Sequence, residues 1–260
     1  MDFPRFIHIY QTASAPALDA RIVAEEIYKI LPSCKIDIRP PFKYEEKMIE
    51  HTKIADIKQS FEKQPNHKQD SKIMMMMTTT TTAIPLYDGF VMQKKLAEMI
   101  PTTEISLAHI HIIFTNLLTC TFSEDDWRYH GRAVICGTPS IVSTTGIVEA
   151  LAKPREFYLA QLLGGMAEDN EMLKKKFVGR FIDYHEEDKI TAASINYALQ
   201  AIFFFITSGE PFCNNKDCRL FNAHWQEDLI HTIEKKILCS HHRNLANKLS
   251  KDQPSAGKFF

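Results

Sequence analysis

FIHIYQTASAPALDARIVAEEIYKILPSCKIDIR, residues 6–39, is the stretch on which the fold turns. FIHIY (6–10) is a short apolar strand, and LDARIVAEEIYKIL (18–31) places its apolar side chains at helical spacing. CKIDIR (34–39) reads as a second strand, stopped by Pro40 and Pro41. Strand, helix and strand in this order predict a β-α-β unit with parallel strands.

Further along, YEEKMIEHTKIADIKQSFEK (44–63) has a polar helical pattern and leads into QPNHKQDSK, a loop composition. MMMMTTTTT (74–82) has no periodicity that would separate two faces, so a loop or insertion is expected there. Asp88 is placed to cap a helix running to about Ile100. AHIHIIF (108–114), RAVICG (132–137) and SIVST (140–144) predict three strands. From residue 155 the pattern turns helical, through REFYLAQLLGGM, NEMLKKKFVGRFI and ITAASINYALQAIFFFITS (190–208). The last is apolar almost all round, which predicts a buried central helix. Strands first and helices later give an α/β chain with a mixed sheet covered by helices.

Composition narrows the function classes. The 260 residues carry 31 basic and 32 acidic side chains, a formal net charge of −1. That balance disfavours a phosphate-collecting surface, so no nucleic-acid partner is expected. Nine glycines are about half the usual share of roughly 7%, and no Walker A loop, G-x-G-x-x-G fingerprint or G-x-S-x-G elbow occurs. No apolar run approaches the roughly 18–20 residues that span a bilayer. MDFPRFIHIYQ lacks the features of a secretory signal. The expectation is a cytoplasmic protein with no membrane partner.

Six cysteines are too few and too scattered for a disulfide-stapled module. Cys34, Cys120 and Cys136 stand alone in apolar settings and are expected to be small buried hydrophobes. The remaining three belong to SGEPFCNNKDCRLFNAHWQEDLIHTIEKKILCSHHRNL, beginning at Ser208. Cys213, Cys218, Cys239 and His242 form C-x4-C-x20-C-x2-H. Two short chelating pairs separated by a helix, with sulfur and imidazole donors, suit one Zn2+ ion in a closed, structural site. His241 is the alternative fourth ligand. Ligation needs thiolates and a neutral imidazole, so binding should release protons.

This tail resembles that of the archaemetzincins, zinc metallopeptidases in which a helical H-E-x-x-H-x-x-G-x-x-H precedes C-x4-C and a later C-x-x-C. Here His242 stands where the last cysteine would be. Counting back from Cys213, Gly209 falls on the turn glycine, the three histidine positions fall on Ile202, Ile206 and Phe212, and the general base falls on Phe203. None of these side chains can hold zinc or take a proton, so the catalytic site of that family is absent from this place. The stretches YHGRAVICGTPSIVSTTGIVEA, FITSGEPFCNNKDCRLFNAHWQEDLI and YDGFVMQKKL are also similar to an archaeal family grouped with the metallopeptidases in which the motif is degenerate. The resemblance implies a metzincin-like α/β fold in a cytoplasmic setting: a core over 1–208 with a variable loop about 64–83, a helical zinc knuckle over 209–250 and a frayed tail over 251–260. Its function would be non-catalytic peptide or protein-partner binding.

The alternative is an active zinc hydrolase with relocated ligands. In HWQEDLIH, His224, Glu227 and His231 fall at i, i+3 and i+7 of one helical face. His109 and His111 share one face of a strand, as a metal-binding pair or as the polar side of a half-buried sheet. His130 and His185 sit singly among charges, and Asp125, Asp126, Glu186, Glu187 and Asp188 read as loop or helix-start acids. Ser143-Thr144-Thr145-Gly146 is a polar turn, and Lys174-Lys175-Lys176 a solvated face.

Overall fold

The computed structural model describes residues 4–11, 18–42, 49–56, 84–164 and 175–252. The opening unit forms as expected. Strand β1 (Phe6–Gln11) leads through α1 (Ala20–Ile30) to β2 (Lys35–Arg39), which pairs parallel to β1. Asp19 starts the helix by accepting hydrogen bonds from the Arg21 and Ile22 amides at 2.9 and 3.3 Å. Ala20, Val23, Ala24 and Ile27 then form its buried stripe.

Two sheets follow from the later strands. In the first, β5 (His109–Thr115) lies parallel to β1 on the side away from β2, β9 (Ser140–Ser143) lies parallel to β5, and the short β8 (Val134–Ile135) closes the edge antiparallel to β9. The order is β2-β1-β5-β9-β8. The second sheet has the order β3-β4-β6-β7, from Lys53–Asp56, Pro85–Asp88, Leu118–Ser123 and Arg128–Arg132. Helix α2 (Gly89–Ala97) begins at Asp88, whose carboxylate accepts from the Phe90 and Val91 amides, both at 3.0 Å.

Three expectations need correction. Lys53–Asp56, inside the polar helical pattern of 44–63, is a strand antiparallel to β4; pairing with a distant segment overrides the local periodicity. Residues 43–48 and 57–83, including the methionine-threonine run, lie outside the described residues. RAVICG is not one strand: Arg132 ends β7 in one sheet and Val134 begins β8 in the other. The segment from Phe177 to Phe181 turns instead of continuing a helix, with Gly179 at φ +82°, and packs its two phenylalanines on Phe157.

The chain changes sheets at Ala133, and helix α3 (Thr144–Glu149) starts against that joint. A Cβ on Gly146 would lie 2.2 Å from the Arg132 carbonyl oxygen and 2.9 Å from the Ala133 Cα. Only a hydrogen fits there. Ser143 caps α3, its Oγ accepting from the Gly146 amide at 2.8 Å and donating to the Leu117 carbonyl at 2.6 Å.

Helix α4 (Arg155–Gly164) precedes α5 (Glu187–Ile206), α6 (Gln226–Lys235) and α7 (Ser240–Asp252). By length and composition α5 is long and apolar enough to cross a membrane, contrary to the reading of the sequence, but 72% of its apolar window is buried inside the protein. It is a core helix. Alternation along the strands sends Ile7, Ile9, Ile36, Ile110 and Ile112 into one apolar core with α1 and α5. Each such fully buried isoleucine contributes about 2 kcal/mol. The same core runs on through Cys218, Leu220, Leu229, Ile233 and Leu249. Gln226, fully buried at the start of α6, donates to the Ile147 and Val148 carbonyls at 2.7 and 3.1 Å and accepts from the Ile182 amide at 3.2 Å.

Candidate metal centre

The chain leaves α5 through Gly209, whose φ of +112° is one that glycine adopts without strain. Cys213 follows, its amide bonded to the Leu220 carbonyl at 2.8 Å. The polar turn behind it closes on itself: Asn215 Oδ1 accepts from the Asp217 amide at 3.0 Å, and the Asn215 carbonyl accepts from the Cys218 amide at 3.0 Å. After α6, Lys236 adopts the left-handed conformation that ends the helix, and the chain returns so that the Arg219 amide bonds the Ile237 carbonyl at 2.8 Å. Cys239 is thereby set beside Cys218, and the first turn of α7 delivers His242.

The four donors converge. Cys213 Sγ and Cys239 Sγ are 3.8 Å apart, Cys218 Sγ and His242 Nδ1 3.8 Å, and Cys239 Sγ and His242 Nδ1 3.1 Å. All four donor atoms lie within 4.8 Å of one another. Sulfurs about 2.3 Å from a tetrahedral zinc would be about 3.8 Å apart, so the donor set and its spacing fit the ion. Amides of Asn215 and Cys239 point at the Cys213 and Cys218 sulfurs, each at 3.4 Å, as donors that favour thiolates. The imidazole offers Nδ1, and His241, exposed, lies outside the group with its ring edge-on to His242.

Burial raises the Cys218 thiol to about 12 and also raises that of Cys213. At Cys239 burial pushes the same way, but the His242 amide and the neighbouring thiols outweigh it and lower the thiol. Burial, followed by the charge of His241, lowers His242, which favours the neutral ring a metal needs. Four protein donors leave no open position for water, so an ion held here would stabilise the fold rather than activate a substrate.

The three α6 candidates go elsewhere. His224 precedes the helix, its carbonyl accepting from the Ala152 amide at 3.0 Å. Glu227 pairs with Arg180 at 2.7 Å, and His231 Nε2 bonds Asp217 at 2.6 Å. Among the described residues, no metal-capable group contains any of them. His130 pairs with Asp126 at 2.9 Å, and His185 is exposed. Of the β5 pair, His111 is fully buried; burial, then the nearby His8, lowers its imidazole to about 4. His8 and Glu104 lie beside it, and neither is marked by any local spacing in the sequence.

The description "Probable metallopeptidase family (DUF6775)" belongs to a family model that matches residues 4–249. The chain belongs to that family. Two solved structures are similar to it: a zinc-dependent peptidase from Methanocorpusculum labreanum, at 14% identity over 93% of this chain and 100% of that one, and archaemetzincin from Methanopyrus kandleri, at 10% over 95% and 96%. Each superposes with a TM-score of 0.45. No curated protein matches the chain. For this probable-metallopeptidase member, the positions taken from the resemblance are telling. Ile202 and Phe203 are fully buried in the main core, Ile206 is half-buried and Phe212 is exposed. No pair of them offers a donor atom.

Proposed function

We propose that this chain is a zinc-holding, non-catalytic member of the probable metallopeptidase family that binds a peptide or a protein partner in the cytoplasm. The observation that carries the reading is the contrast along one stretch. Cys213, Cys218, Cys239 and His242 converge as a ligand set, whereas the positions that would hold a catalytic zinc and its base are Ile202, Phe203 and Ile206 in α5 and Phe212 beyond its end. When bound, the ion supplies cross-linking of the segment 213–242 and no reactive water. The residues around it do the rest: Gln226 docks α6 on α3, and Arg219, itself bonded to Asn196 at 3.0 Å, ties the knuckle to α5.

Protein purified without added zinc is expected to carry one tightly held zinc per chain by elemental analysis, absent from C218S, and to leave unstructured peptides uncleaved while retaining some of them on immobilised protein. Cleavage that follows the zinc content would overturn the reading.

A further inference from the structure

The sheet face turned away from α1 and α5 is not uniformly apolar. Its far half is filled by Tyr10, Ile113 and Ile141 packed with Met92 and Leu96 of α2. The near half carries imidazoles. In the parallel register His8 stands beside His111 on one side and beside Asp37 on the other, and alternation puts all three side chains on the same face. The turn Thr102–Glu104 then lays Glu104 over them.

We infer that His8, His111 and Glu104 form a second divalent-metal site, of the two-imidazole, one-carboxylate type that suits Zn2+ and leaves a position open. His8 Nε2 is 3.9 Å and His111 Nε2 3.8 Å from Glu104 Oε2, and the three donors lie within 4.8 Å of one another. Nitrogens and oxygens at about 2.0–2.2 Å from one ion stand about 3.4 Å apart in a tetrahedron, so capture needs small inward shifts of the donors.

The far side of the His8 ring is held as metal-bound imidazoles are held. His8 Nδ1 donates to Asp37 at 2.6 Å, which leaves Nε2 as the acceptor, engaged by His109 Nδ1 at 2.9 Å until an ion takes that lone pair. His111 Nδ1 is 3.0 Å from the Tyr10 hydroxyl, and its Nε2 donates to the Glu104 carbonyl at 3.4 Å, a proton that an ion would displace. Arg39 braces all three partners at once, reaching Asp37 at 3.0 Å, Tyr10 at 3.1 Å and both Glu104 oxygens at 2.7 and 2.9 Å. Two carboxylates and one guanidinium leave a net negative charge beside these Nε2 atoms, which a cation would offset. His109, half-exposed, is the neighbour that an ion at His8 Nε2 would displace. The inference uses no residue of the C-terminal knuckle, so it and the proposed function can fail separately.

The test is zinc titration of the full-length protein already carrying its tight ion. Wild type is expected to take up a second zinc per chain, H111A none, and E104Q to bind it at least about tenfold more weakly, with C218S keeping the uptake if it folds. Cobalt separates the two places: intense thiolate charge-transfer bands mark the knuckle, and weak d–d bands, lost in H111A and E104Q, mark the strand site. Glu104 is on the rim, so E104Q decides the matter if H111A does not fold. Saturation at one zinc in wild type, or undiminished second-ion binding in E104Q, overturns the inference.

Discussion

Cys213, Cys218, Cys239 and His242 come from one stretch of chain, whereas His8, Glu104 and His111 come from two neighbouring strands and a turn. The first group is made of soft donors at the ends of short turns, and what an ion would contribute is the closing of those turns onto each other. The second is made of harder nitrogen and oxygen donors on strands whose positions are already set by their ladders and by Arg39. On these proposals, geometry would follow the ion in one region and precede it in the other. Removing metal should therefore be structurally expensive at the knuckle and nearly silent at the sheet.

The largest expected effect comes from C218S or a strong chelator. A closed thiolate site contributes on the order of 10 kcal/mol of apparent folding free energy, comparable with the stability of a whole domain. Helices α6 and α7 should unfold well below the melting temperature of the zinc-loaded protein, followed by circular dichroism and by proteolysis between 209 and 252. Because protons compete for the thiolates, the same loss should set in as pH falls, with the zinc released together with it. A melting temperature unmoved by chelation would break the comparison, since the shared core would then hold the knuckle unaided.

At the sheet, R39A removes the brace from Asp37, Tyr10 and Glu104. Charge-assisted hydrogen bonds of this half-buried kind should cost about 2 kcal/mol in urea unfolding, with the knuckle zinc content unchanged. A loss several times larger would mean that these strands also depend on their charges for position. The smallest effect belongs to H231A. Its bond to Asp217 is half-exposed on both sides, so stability should move by less than about 0.5 kcal/mol and the metal count not at all. A lost ion in H231A would bring the α6 residues back as ligands.

The donors of the knuckle were legible because their information is local: spacing alone marks two chelating pairs. The β-α-β opening and the Asp88 cap were legible for the same reason, since Ala20, Val23, Ala24 and Ile27 or a single carboxylate carry their own signal. His8 was not. Within FIHIY it reads as one polar residue in an apolar strand, and only the pairing of β1 with β5 sets it against His111. Glu104 gives still less, being delivered by a three-residue turn with no side-chain cap. The α6 face failed for a related reason: the helix begins after Trp225, so His224 never joins Glu227 and His231 on it. Lys53–Asp56 took its conformation from β4, a partner beyond the reach of any local window.

At the seam between the two sheets, the approach of the α3 start to Arg132 and Ala133 leaves no room at residue 146 for even a methyl group. Beyond that seam, Met92 and Leu96 of α2 roof the apolar half of the imidazole-bearing face. A library of every residue at position 146 should accordingly return glycine alone, as the hinge pin of the molecule.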